Sequence, residues 1–225
     1  MKEHIFTWAL LIISITSLAQ SKYFEGYIDY EYSEKDKNGF SFVPPLYQSY
    51  KLYLQPNILL RAIKQPEELD PGFNRVYSHA VRKIQYLFTG EQMVKSYNLE
   101  TNLKPLNVIE ERKEGEIDTL GQKCEVNFIK YVMQYEGIQG EIIIDTLSST
   151  FYCSKKYKFQ NIKIFAGLNK NRNLLLLDGR YEGIPVKVVV RQSNLRTKTS
   201  FICKEIKEMN VDSVFEILSK DMLKE

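Results

Sequence analysis

Alternation of apolar and polar residues dominates the chain, the period-two signature of strands with one buried face. Between Tyr23 and Ser33, Phe24, Ile28, Tyr30 and Tyr32 share one side and Glu25, Asp29 and Glu31 the other. From Leu46 to Gln55, Tyr50, Leu52 and Leu54 oppose Ser49, Lys51 and Gln55. Pro44-Pro45 stops the chain just before, because proline has no N–H to give a ladder. Arg82–Thr89 and Gln92–Leu99 flank Gly90-Glu91, which reads as a hairpin turn. Leu106–Lys113 and Glu116–Leu120 flank Glu114-Gly115 in the same way. Further strands are expected at Gln122–Met133, Gly140–Thr146 and Ser149–Lys155. Others fall at Asn173–Asp178, Ile184–Gln192, Lys198–Met209 and, briefly, Ser213–Leu218. In Ile184–Gln192, Val186, Val188 and Val190 alternate with Lys187, Val189 and Arg191, and β-branched side chains suit a pleated surface. Asp178-Gly179 and Glu182-Gly183 supply turn chemistry.

Helical spacing is sparse. Glu67–Lys83 has room for a short helix but is interrupted by Pro71-Gly72, and the irregular stretch Asn74–Val81 follows. Ser154–Ala166 places Tyr157, Ile162, Phe165 and Ala166 at loosely helical intervals, and Val211–Lys224 suits one or two turns. The pattern predicts a mainly β protein: one curved antiparallel sheet, or half β-barrel, with one or two short helices in its mouth. Curvature is expected because an open flat sheet leaves edges that aggregate. Tyr and Phe on one face would line the interior, although the pattern does not say which of them do.

Residues 1–19 have the character of a secretory signal peptide. Lys2 precedes a mostly apolar run from Ile5 to Leu18, shorter than the roughly 20 residues a spanning helix needs. Ser17-Leu18-Ala19 fits small-x-small cleavage, so a single β-rich domain is expected over residues 20–225. No Cys lies near this cut, which argues against lipid anchoring, and no later run is long enough to span a bilayer. Trp8 is the chain's one Trp, so cleavage leaves a product whose emission is that of tyrosine. With 44% hydrophobic and 26% charged residues, the composition excludes a disordered or collagen-like chain and a polytopic membrane protein. Net charge is +3, too weak to imply nucleic acid.

Candidate chemistry is thin. Cys124, Cys153 and Cys203 form no CxxC or Cys/His cluster, so a zinc site is unsupported. Export permits a disulfide between any two of them, with one thiol left over. His79 has no local nucleophile or GxSxG-type motif beside it and is read as a bystander. Glu110, Glu111, Glu114, Glu116 and Asp118 lack EF-hand spacing and are read as a solvated hairpin tip. No catalytic residue, metal site or cofactor is expected. The most suggestive stretch is basic: Lys155, Lys156, Lys158, Lys163, Lys170 and Arg172 occur with no acidic residue between Asp145 and Asp178. Tyr157, Phe159 and Phe165 are interleaved. Such a run can contact anionic head groups or a partner, or form a solvated rim.

Several short stretches, in order, resemble a known group. They are Phe24-Glu25-Gly26-Tyr27-Ile28, Leu120-Gly121-Gln122-Lys123-Cys124, Phe151-Tyr152-Cys153-Ser154-Lys155-Lys156 and Gly183-Ile184-Pro185-Val186-Lys187. Lys204-Glu205-Ile206 and Val211-Asp212-Ser213-Val214-Phe215-Glu216-Ile217 complete the set. The chain resembles secreted Bacteroidetes proteins of unknown function whose fold is similar to the periplasmic lipoprotein carrier LolA. The related GLPGLI-type proteins carry that hexapeptide, whereas Phe165-Ala166-Gly167-Leu168-Asn169 lacks the proline and second glycine. The resemblance implies a curved half-barrel and an exported location, periplasmic or extracellular, and supplies no catalytic residues. By analogy with LolA it also implies an acyl chain, lipid or other apolar ligand in the hollow. The expected function is therefore non-enzymatic binding. The alternative is a cell-envelope interaction module with a packed interior and an envelope protein as partner. A hydrolase ranks last.

Overall fold

The computed structural model describes residues 22–41, 49–63, 75–81, 84–89, 92–98, 107–136, 141–167, 179–194 and 196–213. The apolar run at residues 1–19, the proposed strands at Asn173–Asp178 and most of Ser213–Leu218 lie outside them, as do Lys170 and Arg172. The described chain is mainly β, as the alternation predicts. In order along the chain it forms β1 (Lys22–Tyr23), β2 (Gly26–Lys35), β3 (Ser49–Gln55), β4 (Ile58–Ile63), β5 (Arg75–His79), β6 (Ile84–Thr89) and β7 (Gln92–Asn98). Then come β8 (Asn107–Thr119), β9 (Gln122–Glu136), β10 (Ile142–Lys158), helix α1 (Ile162–Gly167), β11 (Gly183–Gln192) and β12 (Thr197–Glu208).

All twelve strands belong to one curved sheet, in the order β7-β6-β5-β4-β3-β2-β12-β11-β10-β9-β8, with β1 on β10. Every pairing is antiparallel except β1–β10. The return of β12 to β2 brings the chain's late strands against its first long one, and β2 then separates two wings.

The register carries one apolar face across the strands. Phe151 pairs with Val188, Val188 with Phe201 and Phe201 with Tyr32. Cys203 pairs with Tyr30, Ile28 with Leu52, and Leu54 with Leu59. These residues belong to the main core, apart from half-buried Tyr32, which packs against it; Ile28, Tyr30, Leu52 and Val188 are wholly buried. Burying a side chain of this size contributes about 1.5–3 kcal/mol, so this row is a main source of the sheet's stability. A second, smaller cluster lies on the opposite face of the β3–β6 wing. There Tyr53, Leu60, Tyr77 and Tyr86 are successive cross-strand partners, and Val211 covers them.

The structure corrects several sequence expectations. Glu114-Gly115 is no hairpin turn: β8 runs straight through it, with register shifts at Val108/Glu110 and Lys113/Gly115. Gly115 has φ +115°, so it forms a bulge in a strand that stays on course. The acidic residues therefore line an edge strand and not a hairpin tip. β10 is one strand of 17 residues, where the sequence suggested two. The helix expected over Ser154–Ala166 is confined to Ile162–Gly167, because 154–158 pair as strand. His79 ends β5, antiparallel to β4 and β6, and is not in irregular chain. β4 carries no clear strand pattern, since Ile-Leu-Leu-Arg-Ala-Ile hardly alternates; Leu59 serves the main core and Leu60 the second cluster.

Candidate functional site

The most developed feature is the end of the sheet where the chain crosses from β10's partner β1 into β2. Lys22 and Tyr23 pair in parallel with Tyr157 and Lys158, while Lys158 also pairs with Gly183 of β11 on its other side. β1 runs on into β2 through Gly26. The pairings thus close a circuit, β2–β12–β11–β10–β1, although the sheet's outer strands β7 and β8 are not paired to one another among the described residues. Gly26 makes the bend possible. Its φ is +145° and a Cβ there would lie 2.0 Å from the carbonyl oxygen of Lys207.

Aromatic side chains fill this end. Phe24 meets Tyr157 edge-on at 5.3 Å between centroids, a favoured ring geometry. Phe159, Ile162, Phe165 and Ile184 join the same cluster. Helix α1 supplies Ile162 and Phe165, and it starts where Asn161 donates its amide to the Pro56 carbonyl and the Asn57 side chain. Asn161 sits at φ +57°, a conformation that asparagine tolerates better than most residues. Gly179 lies close against Lys163, and an added Cβ would meet the Lys163 Cα at 2.6 Å. Farther along, Tyr181 rests over Phe151 at 5.1 Å and donates to Glu111 of the edge strand at 3.1 Å, while Arg180 bonds the same carboxylate at 2.9 Å. Burial first, then the neighbouring Glu111, raises the Tyr181 phenol well above its ordinary range.

The described cations of the basic run lie along β10 and α1. Lys155 meets Glu116 at 2.6 Å, Lys158 meets Glu182 at 3.2 Å and Lys156 meets Glu208 at 3.9 Å. Lys156 also sits 4.4 Å over the Tyr157 ring. Lys163 is exposed on α1. The sequence shows no acid within this run because the acids come from β8, β12 and the approach to β11. Glu116 serves two lysines, since Lys123 lies 2.9 Å away. Hydrogen bonds from Lys155 and then Lys123 hold its carboxyl down at about 2.

Two further bonds tie this end together. Tyr157 donates to Glu208 at 2.5 Å, and Tyr30, wholly buried, donates to the Pro185 carbonyl at 2.7 Å. Phe24, Tyr157, Phe159 and Phe165, together with Phe151, Tyr30 and Phe201, are buried in one cluster, and these are the rings that the sequence pattern left unassigned.

Groups suited to covalent chemistry are poorly placed. Cys124, Cys153 and Cys203 are free and buried. Burial pushes the Cys124 thiol up to about 11, the Cys203 thiol to about 12 and the Cys153 thiol higher still. Among the described residues no group of three His, Cys, Asp or Glu is arranged to hold a metal, and no helix is long and apolar enough to cross a membrane.

No protein-family model and no curated protein sequence matches the chain. Three solved structures are similar in outline. A Vibrio parahaemolyticus domain described as outer-membrane lipoprotein-sorting is 10% identical, with a TM-score of 0.39, over 96% of this chain and 98% of that one. The Mycobacterium tuberculosis lipoprotein LppX is 7% identical, with a TM-score of 0.33, over 82% and 90%. LprF from Mycobacterium bovis is 7% identical, with a TM-score of 0.28, over 83% and 89%. Such scores carry no argument about function, and the fold rests on the strand order and register above.

Proposed function

We propose that the protein is exported and works without catalysis, holding an apolar, acyl-type ligand against the concave face of its sheet. The observation that carries this is the apolar row on that face. Phe151, Val188, Phe201 and Tyr32 form a continuous row across β10, β11, β12 and β2, and Ile162 and Phe165 of α1 and the Tyr181 ring pack in the same cluster. Apolar and aromatic side chains gathered on one face are the surroundings that a hydrocarbon ligand takes. The apolar run at Ile5–Leu18 supports export. Raised thiol pKa values disfavour cysteine nucleophiles, which supports a non-enzymatic reading. The lysines of β10 lie at the same end as the aromatic cluster and would stand next to a ligand's anionic head.

Native mass spectrometry of freshly purified protein tests the proposal. Co-purified lipid, or saturable uptake of a fatty acid by delipidated protein, is the expected result. A bare mass together with no uptake across a broad lipid panel would overturn it.

One observation favours a second reading, an envelope interaction module. Among the described residues, 133–136 of β9 and 142–145 of β10 have strand pairings only with each other. In this stretch Ile142 and Ile144 are 66% and 62% exposed. Exposed isoleucines on a strand end suit a protein contact. Loss of a pulled-down envelope protein on Ile142→Ser/Ile144→Ser, with lipid uptake absent throughout, would favour this reading over the first.

A further inference from the structure

Among the described residues, the circuit of strands is closed at its shortest pairing, that of β1 with β10. We propose that residues 22–24 form a strap that opens and recloses, admitting the ligand of the reading above between the sheet and α1; the inference rests on that reading for its ligand.

Among the described residues the strap is held by little backbone. Its register with β10 there comprises two residue pairs, Lys22 with Tyr157 and Tyr23 with Lys158, followed by one bond from the Phe24 N–H to the Lys158 carbonyl at 3.0 Å. β2, which continues from it, is paired with β12 and β3 on both sides. Tyr23 is 56% exposed, so it adds little apolar burial. The pin is Phe24, 4% exposed against Tyr157.

A hinge stands next to this pin. Gly26 is the point at which the chain leaves its place beside β12 to cross to β10, and the approach of the Lys207 carbonyl leaves no room for a side chain. Glu25 accepts from the Met209 N–H at 3.4 Å, the longest of the non-ladder backbone bonds among the described residues. Movement of 22–24 about Gly26 would leave the β2 ladder intact and uncover Phe24, Tyr157 and Phe159 together. Tyr157 itself would stay put, since its hydroxyl is fixed to Glu208 and the Phe159 N–H to the Glu182 carbonyl at 2.8 Å. The seam that opens is therefore between strap and β10, directly over the aromatic cluster and beside Lys156 and Lys158.

Two measurements on the full mature chain test this. In hydrogen exchange, the Phe24 amide should exchange on the order of a hundredfold faster than the amides of Ile28 and Tyr30. Equal protection would show a permanent closure and overturn the strap. The second measurement uses Tyr23→Cys/Lys158→Cys, at paired positions; the native thiols are buried and do not compete. Oxidation should slow uptake of a fluorescent fatty acid roughly tenfold, and a reductant should restore it. Unchanged uptake in the oxidised protein would overturn the strap as entry route. If the unmodified protein takes up no fatty acid, the lipid reading fails by itself, and the exchange rates alone decide whether the strap opens.

Discussion

Cys124, Cys153 and Cys203 sit in β9, β10 and β12, and burial is the first cause raising each thiol. Cys124 stands opposite Ser154, and Cys153 opposite Glu125. The two cysteines are thus one position out of step on neighbouring strands, where side chains leave opposite faces of the pleat. Bridging them would need the backbone to move. The expected outcome is no reaction with a thiol reagent in the folded protein and three reactive thiols in denaturant. Only one reactive thiol in non-reducing denaturant would show that a bridge had formed. Glu116 gives a pH prediction of definite sign. Its folded value of about 2 lies below the ordinary 4.5, so its contribution is present above about 4.5 and lost as pH falls toward 2. The wild-type urea midpoint should exceed that of Glu116→Gln at neutral pH, and the gap should close over that window. Because the carboxylate is exposed, the gap is small and shrinks with salt. A gap unchanged down to pH 2 would refute the ion-pair account.

Among the elements, the bend between β1 and β2 and the long edge strand β8 invite the sharpest tests. Gly26→Ala places a Cβ on the Lys207 carbonyl at a positive φ, and such strain and overpacking cost on the order of 3 kcal/mol. Gly121→Ala, also at positive φ but with nothing within 4 Å, should cost only about 1 kcal/mol. Thermal melts of both variants check the order. β8 is exposed along nearly its whole length, and two bulges and the charges Glu110, Arg112, Lys113 and Glu114 interrupt it. Such features discourage pairing with another chain. Replacing Glu110, Arg112 and Glu114 with Thr should speed aggregation, measured by light scattering. These bulges also explain where the sequence misleads. Glu-Gly between two alternating runs has the composition of a turn, and only the partner strand β9 reveals that the chain continues. The alternation of β2, β3, β11 and β12 was legible because each has one face in the core. β4 was not, because Leu59 enters the main core and Leu60 the second cluster.

At the scale of the molecule, what the sequence conceals is which distant segments meet. The basic run looks unopposed along the chain, yet Glu116, Glu182 and Glu208 are brought to it from three other places. The aromatic cluster is concealed likewise: Phe24 and Tyr157 are separated by most of the chain and touch only because β1 crosses to β10. The same long-range logic governs the far wing. Leu60, Tyr77 and Tyr86 lie on the face opposite the main core, and Val211, wholly buried, reaches them from beyond β12. Asp212 reinforces that docking by accepting from the Gln55 side chain at 2.5 Å. Val211 thus covers the second face of the wing at Leu60, Tyr77 and Tyr86. Val211→Ala should lower stability by about 2 kcal/mol. Exchange should quicken most in β4, β5 and β6, while the amides of β10, β11 and β12 change least. A uniform acceleration over all strands would instead mean that both faces of the sheet unfold as one unit, and that the second cluster has no separate role.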